Sequence, residues 1–310
     1  MKTVTFRQLR VFSEVARQLS FVRAAEALHL TAPAVTMQVK ELEASIELPL
    51  FHREGRKIAL TTAGEYFLVY ARRLLGTLKE ADDAMARLRG VEAGTLSVGL
   101  VSTAKYFVPQ LLARFREEHP GIEVRITVAA NREQLITLLQ GAEIDLAVMG
   151  RPPKELAMRT EAFAAHPLVI VAPVGHPLLE LDHVPVAALA PYRFIVREPD
   201  SGTRAAMEAF FKRHRVDIQV AMQMPSNETI KQAVIAGMGL AFLSLHTLGL
   251  ELRAGVLKRL DVEDTPVMRT WNLVRPQSRT LSPAAEAFRY FMLERAEPHL
   301  RAHDEALLAS

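Results

Sequence analysis

Two short stretches of the sequence combine hydroxyl side chains with a cation where a helix is predicted to begin. They consist of Ser102, Thr103 and Lys105 in the first, and of Ser201, Gly202, Thr203 and Arg204 in the second. Backbone N–H groups and the positive end of a helix dipole attract anions, and a guanidinium suits a phosphate or carboxylate. Either stretch alone is more simply an N-cap. The pair predicts a site for a small molecule with several negative charges.

Two further polar residues, Asn131 and Arg151, lie in loops that follow predicted strands. Ligands of open α/β sheets bind outside the carboxyl ends of the strands. Residues 95–310 carry 24 basic and 24 acidic side chains, so this part of the chain has no net charge. The cations at these loops are therefore not the result of general basicity, and we include Asn131 and Arg151 in the predicted effector site.

A different chemistry, contact with DNA, is indicated by residues 20–42. Ser20 and Thr31 are suited to cap two successive short helices, and Pro33 fits the first turn of the second. The outer face of the second helix would carry Thr36, Met37 and Lys40. A short helix with such a face fits the DNA major groove. An ordinary helical hairpin in a core is the alternative.

A small basic hairpin is predicted after this helix pair. Residues 51–53 and 57–60 have the pattern of two short strands, and Arg53, Arg56 and Lys57 lie on them or in the turn between them. Beside a recognition helix, such a wing can reach phosphates or the adjacent minor groove. A solvated basic turn is the alternative.

A long helix is predicted over residues 62–90, beginning at a capping box formed by Thr62 and Glu65. Apolar residues then recur in steps of four and three: Phe67, Ala71, Leu74, Leu78, Ala81, Met85 and Leu88. This spacing is typical of a heptad seam. We expect the seam to pack against a second copy of the chain; a core helix of the next domain is the alternative.

From residue 95 the pattern changes to strands that alternate with helices, in two successive runs. This alternation predicts parallel sheets with right-handed crossovers, arranged as two lobes that bind a small molecule between them. The predicted fold class is α/β. The predicted domains are a winged helix-turn-helix over 1–60, a linker helix over 61–91, a first effector lobe over 92–165 completed by 268–302, and a second lobe over 166–267.

Composition limits the class of protein. Hydrophobic residues make up 49% of the 310 positions and charged residues 24%, which is typical of a soluble globular protein. The formal net charge of +3 lies wholly in residues 1–94, at the predicted DNA-binding end. The absence of cysteine excludes disulfides, thiolate metal sites and a cysteine nucleophile. No catalytic motif, metal site, cofactor fingerprint, signal peptide or membrane span is predicted, and we expect a cytoplasmic protein.

Over essentially its whole length, the chain resembles the LysR-type transcriptional regulators. The resemblance is carried by the helix-turn-helix LHLTAPAVTMQVKELE, the wing LFHREGRKIALTTAG, the long linker helix and the late segment AGMGLAFLS. Within that family it is most similar to the CbbR-type regulators of carbon-fixation (RuBisCO) operons. That closer similarity is carried by VSTAKYFVPQLLARFREEHPGIEV, NREQL, EIDLAVMGRPP and REPDSGTR.

The resemblance implies a homotetramer built from dimers, with an effector domain like the two-lobed periplasmic binding proteins, that acts as an activator. Its implied partners are promoter DNA, RNA polymerase and an anionic metabolite such as ribulose bisphosphate, phosphoenolpyruvate or NADPH. The implied DNA contacts are Thr31, Ala32, Pro33, Thr36, Met37 and Lys40 in the second helix, and Arg53, Arg56 and Thr61 around the wing.

The sequence departs from the family at two of these positions. The family often has Gln or Ser where this chain has Ala32, and Arg where it has Met37. Neither residue here can make a bidentate base contact, so base recognition should rely on thymine methyl groups, on Thr36 and Lys40, and on DNA shape. Two alternatives stay open: a LysR-type regulator that senses an aromatic or amino-acid ligand, and a metabolite-binding protein or enzyme that uses only the clamshell.

Overall fold

The computed structural model describes residues 4–54, 57–88, 94–153 and 157–308. The chain divides into two compact units, one of residues 1–89 with 140–143 and one of residues 90–139 with 144–310. None of the helices in the described ranges is long and apolar enough to cross a membrane.

The N-terminal unit contains the predicted helix pair and hairpin. Its elements are α1 (Phe6–Gln18), α2 (Phe21–Ala27), α3 (Ala32–Ile46), β1 (Phe51–Glu54), β2 (Lys57–Leu60) and α4 (Thr62–Leu88). Thr5 and Gln8 form a capping box at α1, while Ser20 and Thr31 cap α2 and α3 through their hydroxyl groups. Strands β1 and β2 pair antiparallel. The winged helix-turn-helix is therefore confirmed.

Aromatic side chains hold this unit together. The ring of Phe12 in α1 lies 5.4 Å from that of Phe51 and 5.3 Å from that of Phe67, measured between centroids. Val35 and Val39 of α3 are buried in the same cluster. Each buried side chain of this size contributes about 1.5–3 kcal/mol. Because α3 is anchored by its inner face, its outer face is fixed in orientation.

The start of α4 differs from the prediction. Thr61, rather than Thr62, is the cap: its hydroxyl accepts from the N–H of Gly64 at 2.8 Å and donates to the carbonyl oxygen of Pro49 at 2.7 Å. Thr61 is buried by these contacts. Its position directly after β2 places it one residue earlier than the capping-box pattern indicated.

The predicted heptad seam is wrong in its first half. Ala71 is fully buried and Phe67 half-buried, and both pack in the core of their own unit because α4 lies against α1. The large apolar side chains that this part of the helix exposes are Tyr66, Val69, Tyr70 and Leu74. In this first half the exposed stripe is therefore rotated by about one residue from the predicted seam, and Leu74 belongs to both. Met85, a seam residue of the second half, is exposed as well.

The C-terminal unit alternates strands and helices. Its strands are β3 (Gly94–Leu100), β4 (Ile122–Val128), β5 (Leu146–Met149), β6 (Met158–Pro173), β7 (Arg193–Val196), β8 (Gln219–Gln223), β9 (Ala241–Ser244), β10 (Leu257–Arg259) and β11 (Val267–Pro276). Its α-helices are α5 (Val108–Glu118), α6 (Arg132–Gln140), α7 (Gly202–His214), α8 (Asn227–Ile235), α9 (Gly249–Arg253) and α10 (Pro283–Leu308). The elements predicted from the pattern are present, with boundaries that shift by a few residues.

The sheets are mixed rather than wholly parallel, which corrects the prediction. The large sheet has the order β10-β6-β11-β5-β3-β4, with β9 also paired to β6, and β7 pairs with β8 in a second sheet. Strand β3 is parallel to β4 and β5, and β7 is parallel to β8. The long strands β6 and β11 are antiparallel to each other and to their other neighbours.

Strands β6 and β11 explain this departure. Strand β6 runs from the first lobe to the second, and strand β11 returns from the second lobe to the first. Because the two strands are neighbours, they pair antiparallel. The apolar half of β6, residues 168–172, has the sequence pattern of a buried strand. The first half contains Arg159, Glu161 and His166, which interrupt that pattern. One apolar cluster, with Phe115 and Phe288, lies in the lobe of β3–β5; another, with Phe194, lies in the lobe of β7 and β8.

Candidate effector cleft and DNA-binding surface

A cleft opens between the two lobes of the C-terminal unit. Its walls are the loops after β3, β4, β5 and β7, and its floor is formed by β6 and β11. The space between these residues, including the part open to solvent, is about 590 Å³. The polar and aromatic residues that line it are Ser102, Thr103, Asn131, Arg132, Arg151, His166, Arg197, Glu198, Asp200, Ser201, Thr203, Arg269 and Trp271, with Gly150 and Gly202.

Most of the predicted effector residues lie on this cleft. They are Ser102, Thr103, Asn131, Arg151, Ser201, Gly202 and Thr203. Lys105 and Arg204 are not among the lining residues. The ammonium of Lys105 lies 5.1 Å from the ring centroid of Tyr106, and Arg204 Nε pairs with Glu208 Oε1 at 2.6 Å. Glu208 is four residues further along α7, a spacing at which a helix brings opposite charges together.

The two predicted helix starts differ in detail. Ser201 is an N-cap: its Oγ accepts from the N–H groups of Thr203 and Arg204. Ser102 instead accepts from Nη2 of Arg197 at 3.3 Å, a bond from one lobe to the other. Thr103 is buried and makes no capping hydrogen bond. Capping is therefore the observed role of Ser201 but not of Thr103.

Arg197, which the sequence reasoning missed, is a buried guanidinium on the cleft wall. It forms a bidentate pair with Glu198, with Nε–Oε2 at 2.7 Å and Nη2–Oε1 at 2.8 Å, and its Nη1 donates to Oδ1 of Asn227 at 2.7 Å. The adjacent carboxylate compensates its charge. Arg197 thus links the lobes through Ser102 without adding net charge to the cleft.

Arg269 of β11 was also missed, and its environment is different. Its Nη1 donates to the carbonyl oxygen of Gly202 at 2.7 Å and its Nη2 to that of Gly150 at 2.8 Å. Among the described residues, its hydrogen-bond partners are these two carbonyl oxygens. Burial, and then the neighbouring charge of Arg151, lower the pKa of Arg269. Two guanidinium groups that repel each other therefore face one cleft, and an anion placed beside them would relieve that repulsion.

The cleft floor is aromatic. Trp271, the one tryptophan of the chain, lies under His166 with ring centroids 4.0 Å apart and planes 16° from parallel. Both residues come from the middle of long strands rather than from loops. No local pattern in the sequence marks them, because strands β6 and β11 become neighbours only in the folded sheet.

The predicted DNA-binding residues of α3 differ in how far they are exposed. Thr31, Pro33 and Lys40 are exposed, and Met37 is 54% exposed. Ala32 and Thr36 are half-buried, and the hydroxyl of Thr36 donates to the carbonyl oxygen of Ala32 at 2.9 Å. The exposed side chains of this outer face therefore include an apolar one, that of Met37.

Only some of the predicted DNA contacts around the wing belong to the part of the chain that the structure describes. Thr61 is buried and its hydroxyl is engaged with Pro49 and Gly64. Only the backbone of Arg53, in β1, belongs to the described part of the chain, and Arg56 lies outside the described residues. The backbone of the wing itself is the predicted two-stranded hairpin.

Comparison with known proteins agrees with this arrangement. Residues 6–65 match the model of the bacterial regulatory helix-turn-helix proteins of the lysR family, and residues 89–297 match the LysR substrate binding domain. The chain is 49% identical to the HTH-type transcriptional regulator CfxR of Cupriavidus necator, over 95% of this chain and 92% of that protein. It is 46% identical to a RuBisCO operon transcriptional regulator of Allochromatium vinosum, over 96% and 99% of the two chains.

Two solved structures extend the comparison. The regulatory domain of Synechocystis CcmR, in complex with 2-PG, is 39% identical, with a TM-score of 0.62 over 65% of this chain and 96% of that domain. Full-length CbnR complexed with its target DNA shares the fold at 22% identity, with a TM-score of 0.69 over 94% and 99% of the two chains. The named relatives are regulators, not enzymes. The chain belongs to the LysR family of DNA-binding transcriptional regulators.

Proposed function

We propose that this protein activates a carbon-fixation (RuBisCO) operon in response to a small phosphorylated carboxylate bound in the cleft. The choice of operon is supported by relatives that are named for it and match over nearly the whole chain. The anionic ligand is supported by one observation above others: Arg269 and Arg151 face the cleft together, and Arg269 has only carbonyl partners among the described residues.

In this proposal each side of the cleft supplies a different kind of group. Arg151 and Arg269 provide charge, Thr103 provides a hydroxyl, and the first turn of α7 after Ser201 provides backbone N–H groups and a helix dipole. A ligand with a phosphate at one end and a carboxylate at the other can use more than one side at once. The candidates are 2-phosphoglycolate, the ligand of the CcmR domain, and phosphoenolpyruvate, which fit this description, together with ribulose bisphosphate and NADPH, which carry phosphates but no carboxylate.

The ligand acts by favouring one arrangement of the lobes. Hydrogen bonds join the two lobes directly, from Arg197 to Ser102 and from the hydroxyl of Tyr106 to Glu228. A ligand shifts such an equilibrium only by as much as it binds one arrangement better than the other. A coupling of about 1–3 kcal/mol is enough for a regulatory response.

On the DNA side, we propose that α3 enters the major groove and the wing contacts the backbone. The exposed stripe of α4, formed by Tyr66, Val69, Tyr70 and Leu74, joins two chains so that they can bind two half-sites. Two such dimers form a tetramer, which works in the cytoplasm with RNA polymerase at the promoter.

Calorimetric titration of the full-length protein tests the ligand class directly. The four candidates would be compared with inorganic phosphate and glycolate, which carry one end of the ligand each, and with aromatic acids and amino acids. We expect tight binding of at least one phosphorylated carboxylate and weak binding of the fragments. Binding of an aromatic or amino acid in its place would favour the rival regulator of another pathway.

A further inference from the structure

One buried polar atom on the cleft floor lacks a hydrogen-bond partner. His166 is 3% exposed, and its Nε2 lies 3.0 Å from Oγ of Ser244. Its other ring nitrogen, Nδ1, is buried without a partner among the described residues. Such atoms are rare, because an unpaired buried donor or acceptor is costly. His166 lines the cleft, so a bound ligand is the partner that the position offers.

The ring of His166 is held rigidly in place. It stacks on Trp271, whose Nε1–H donates to Nδ1 of His246 at 3.0 Å. Since Nδ1 of His246 is the acceptor, its proton lies on Nε2, which donates to the carboxylate of Asp304 at 3.2 Å. These hydrogen bonds hold the indole of Trp271 in position, and stacking on the indole fixes the plane of the His166 ring. The free nitrogen therefore has a defined direction.

The residue next to that nitrogen has no side chain that could block it. Gly150 directly follows β5 and lines the same cleft. A Cβ atom at Gly150 would lie 2.9 Å from Nδ1 of His166 and 3.2 Å from its Cε1. Any side chain there would cover the nitrogen or displace the ring. The absence of a side chain at position 150 leaves Nδ1 free of this contact.

We propose that Nδ1–H of His166 donates a hydrogen bond to an anionic oxygen of the effector, while the hydroxyl of Ser244 donates to Nε2. This inference rests on the proposed function, because it requires an anionic effector in the cleft. The positive charges of Arg151 and Arg269 bring the oxygen to the floor, and an oxygen lone pair facing an unprotonated Nδ1 would be repelled. The ligand thus selects the tautomer that donates.

This contact gives His166 a role in specificity. Burial, with the nearby His246 and Arg269, lowers the pKa of His166 well below its ordinary value, so the ring donates as a neutral group. A neutral donor distinguishes ligands that place an acceptor atom opposite Nδ1 from ligands that do not, and it does so by hydrogen bonding rather than by charge alone. Ligands that place a methyl group or hydrogen where the oxygen should lie leave Nδ1 unpaired and bind more weakly.

Titration of full-length variants with 2-phosphoglycolate tests the contact, with affinities from calorimetry and from the emission of Trp271. His166→Phe keeps a ring on the indole but removes both nitrogens, and should weaken binding about tenfold or more. His166→Asn places an amide nitrogen near the position of Nδ1 and should recover most of that loss. Gly150→Ala keeps the histidine but covers Nδ1, and should resemble His166→Phe. His299→Phe alters a half-buried histidine of α10 outside the cleft and should bind as the wild type does.

The possible results separate this inference from the proposed function. Wild-type affinity in both His166→Phe and Gly150→Ala, together with loss of binding in Arg269→Met, would leave the anion site intact and overturn the role of His166. Equal loss in His166→Phe and His166→Asn, with unchanged melting temperatures, would also overturn it, since the donor would not be what matters. If neither 2-phosphoglycolate, phosphoenolpyruvate nor ribulose bisphosphate binds the wild type, the proposed function and this inference both fail.

Discussion

Nη1 of Arg269 donates to the carbonyl oxygen of Gly202 at 2.7 Å, which joins the strand on the cleft floor to the first residue of α7. Through Nη2 the same guanidinium holds the carbonyl oxygen of Gly150 at 2.8 Å, at the end of β5. Arg269 therefore fixes two walls of the cleft with its donors while its charge stays available to a ligand. A structural and a binding role coincide in one side chain.

Arg269→Lys should weaken effector binding although the charge is kept. A lysine ammonium is a point charge that cannot reproduce the planar fork of the two bonds. We expect a loss of about tenfold or more in affinity for 2-phosphoglycolate, measured by calorimetry. Arg159→Lys, an exposed arginine of β6 outside the cleft, is the matched control and should bind normally. Unchanged affinity in Arg269→Lys would show that the fork is dispensable.

The stability of the unliganded protein should fall in mildly acidic solution because of His166. Burial, followed by the effects of His246 and Arg269, lowers its pKa well below the ordinary value. The unfolded chain takes up a proton at this residue as the pH falls through about 6.5, whereas the folded chain does not. The free energy of unfolding should thus decrease below about pH 6.5, by roughly 1 kcal/mol per pH unit from this residue, and level off above it.

Urea unfolding at several pH values measures this contribution as the difference between the wild type and His166→Phe. The wild type should show the steeper loss below about pH 6.5. Parallel pH profiles for the two proteins would mean that His166 does not titrate differently in the folded and unfolded states.

Two substitutions on the outer face of α3 should affect DNA binding in different ways. Met37 is 54% exposed and can contact thymine methyl groups, so Met37→Ala should reduce the preference for the operator over other DNA. The sequence indicated a base contact for Lys40, but we expect its exposed ammonium to contact a phosphate instead, so Lys40→Ala should weaken all DNA alike and lower the salt slope by about one. Fluorescence anisotropy at several salt concentrations separates the two effects. Arg116→Ala, an exposed arginine of α5 in the other unit, should change neither quantity.

The exposed stripe of α4 should be the dimer interface. A double replacement of Tyr70 and Leu74 by lysine places like charges on that stripe and should dissociate the dimer, as measured by light scattering. The control is Tyr290→Lys, since Tyr290 is 54% exposed and Tyr70 57%. If the double variant keeps its assembly state, chains associate through another surface.

Local signals explain which features could be predicted from the sequence. Ser20 and Thr31 accept hydrogen bonds from N–H groups three residues further along the chain, so their capping roles could be predicted from the sequence. The alternation of strands and helices is also a local signal, and it predicted the two lobes. The polar first half of β6 lacked such a signal, and the antiparallel pairing with β11 was missed with it.

Features that depend on distant contacts could not be predicted. Arg269 and His166 reach the cleft only because β11 and β6 pair across it. Arg204 is a different case, because its guanidinium pairs with Glu208 four residues along the same helix and does not line the cleft. The heptad seam was misassigned because Ala71 follows the spacing of an interface yet packs on its own unit. For Ala71 the apolar spacing was present, but a tertiary contact determined which surface it packs on.

The measurement that most directly tests the central claim is a footprint on the promoter of the RuBisCO operon, with and without 2-phosphoglycolate, for the wild type and Thr103→Val. Thr103 is buried on the cleft wall without a capping role. We expect both proteins to protect the promoter, and only the wild type to change the length of its footprint when ligand is added. A ligand response in Thr103→Val at the wild-type concentration, or no specific protection by the wild type, would contradict the account.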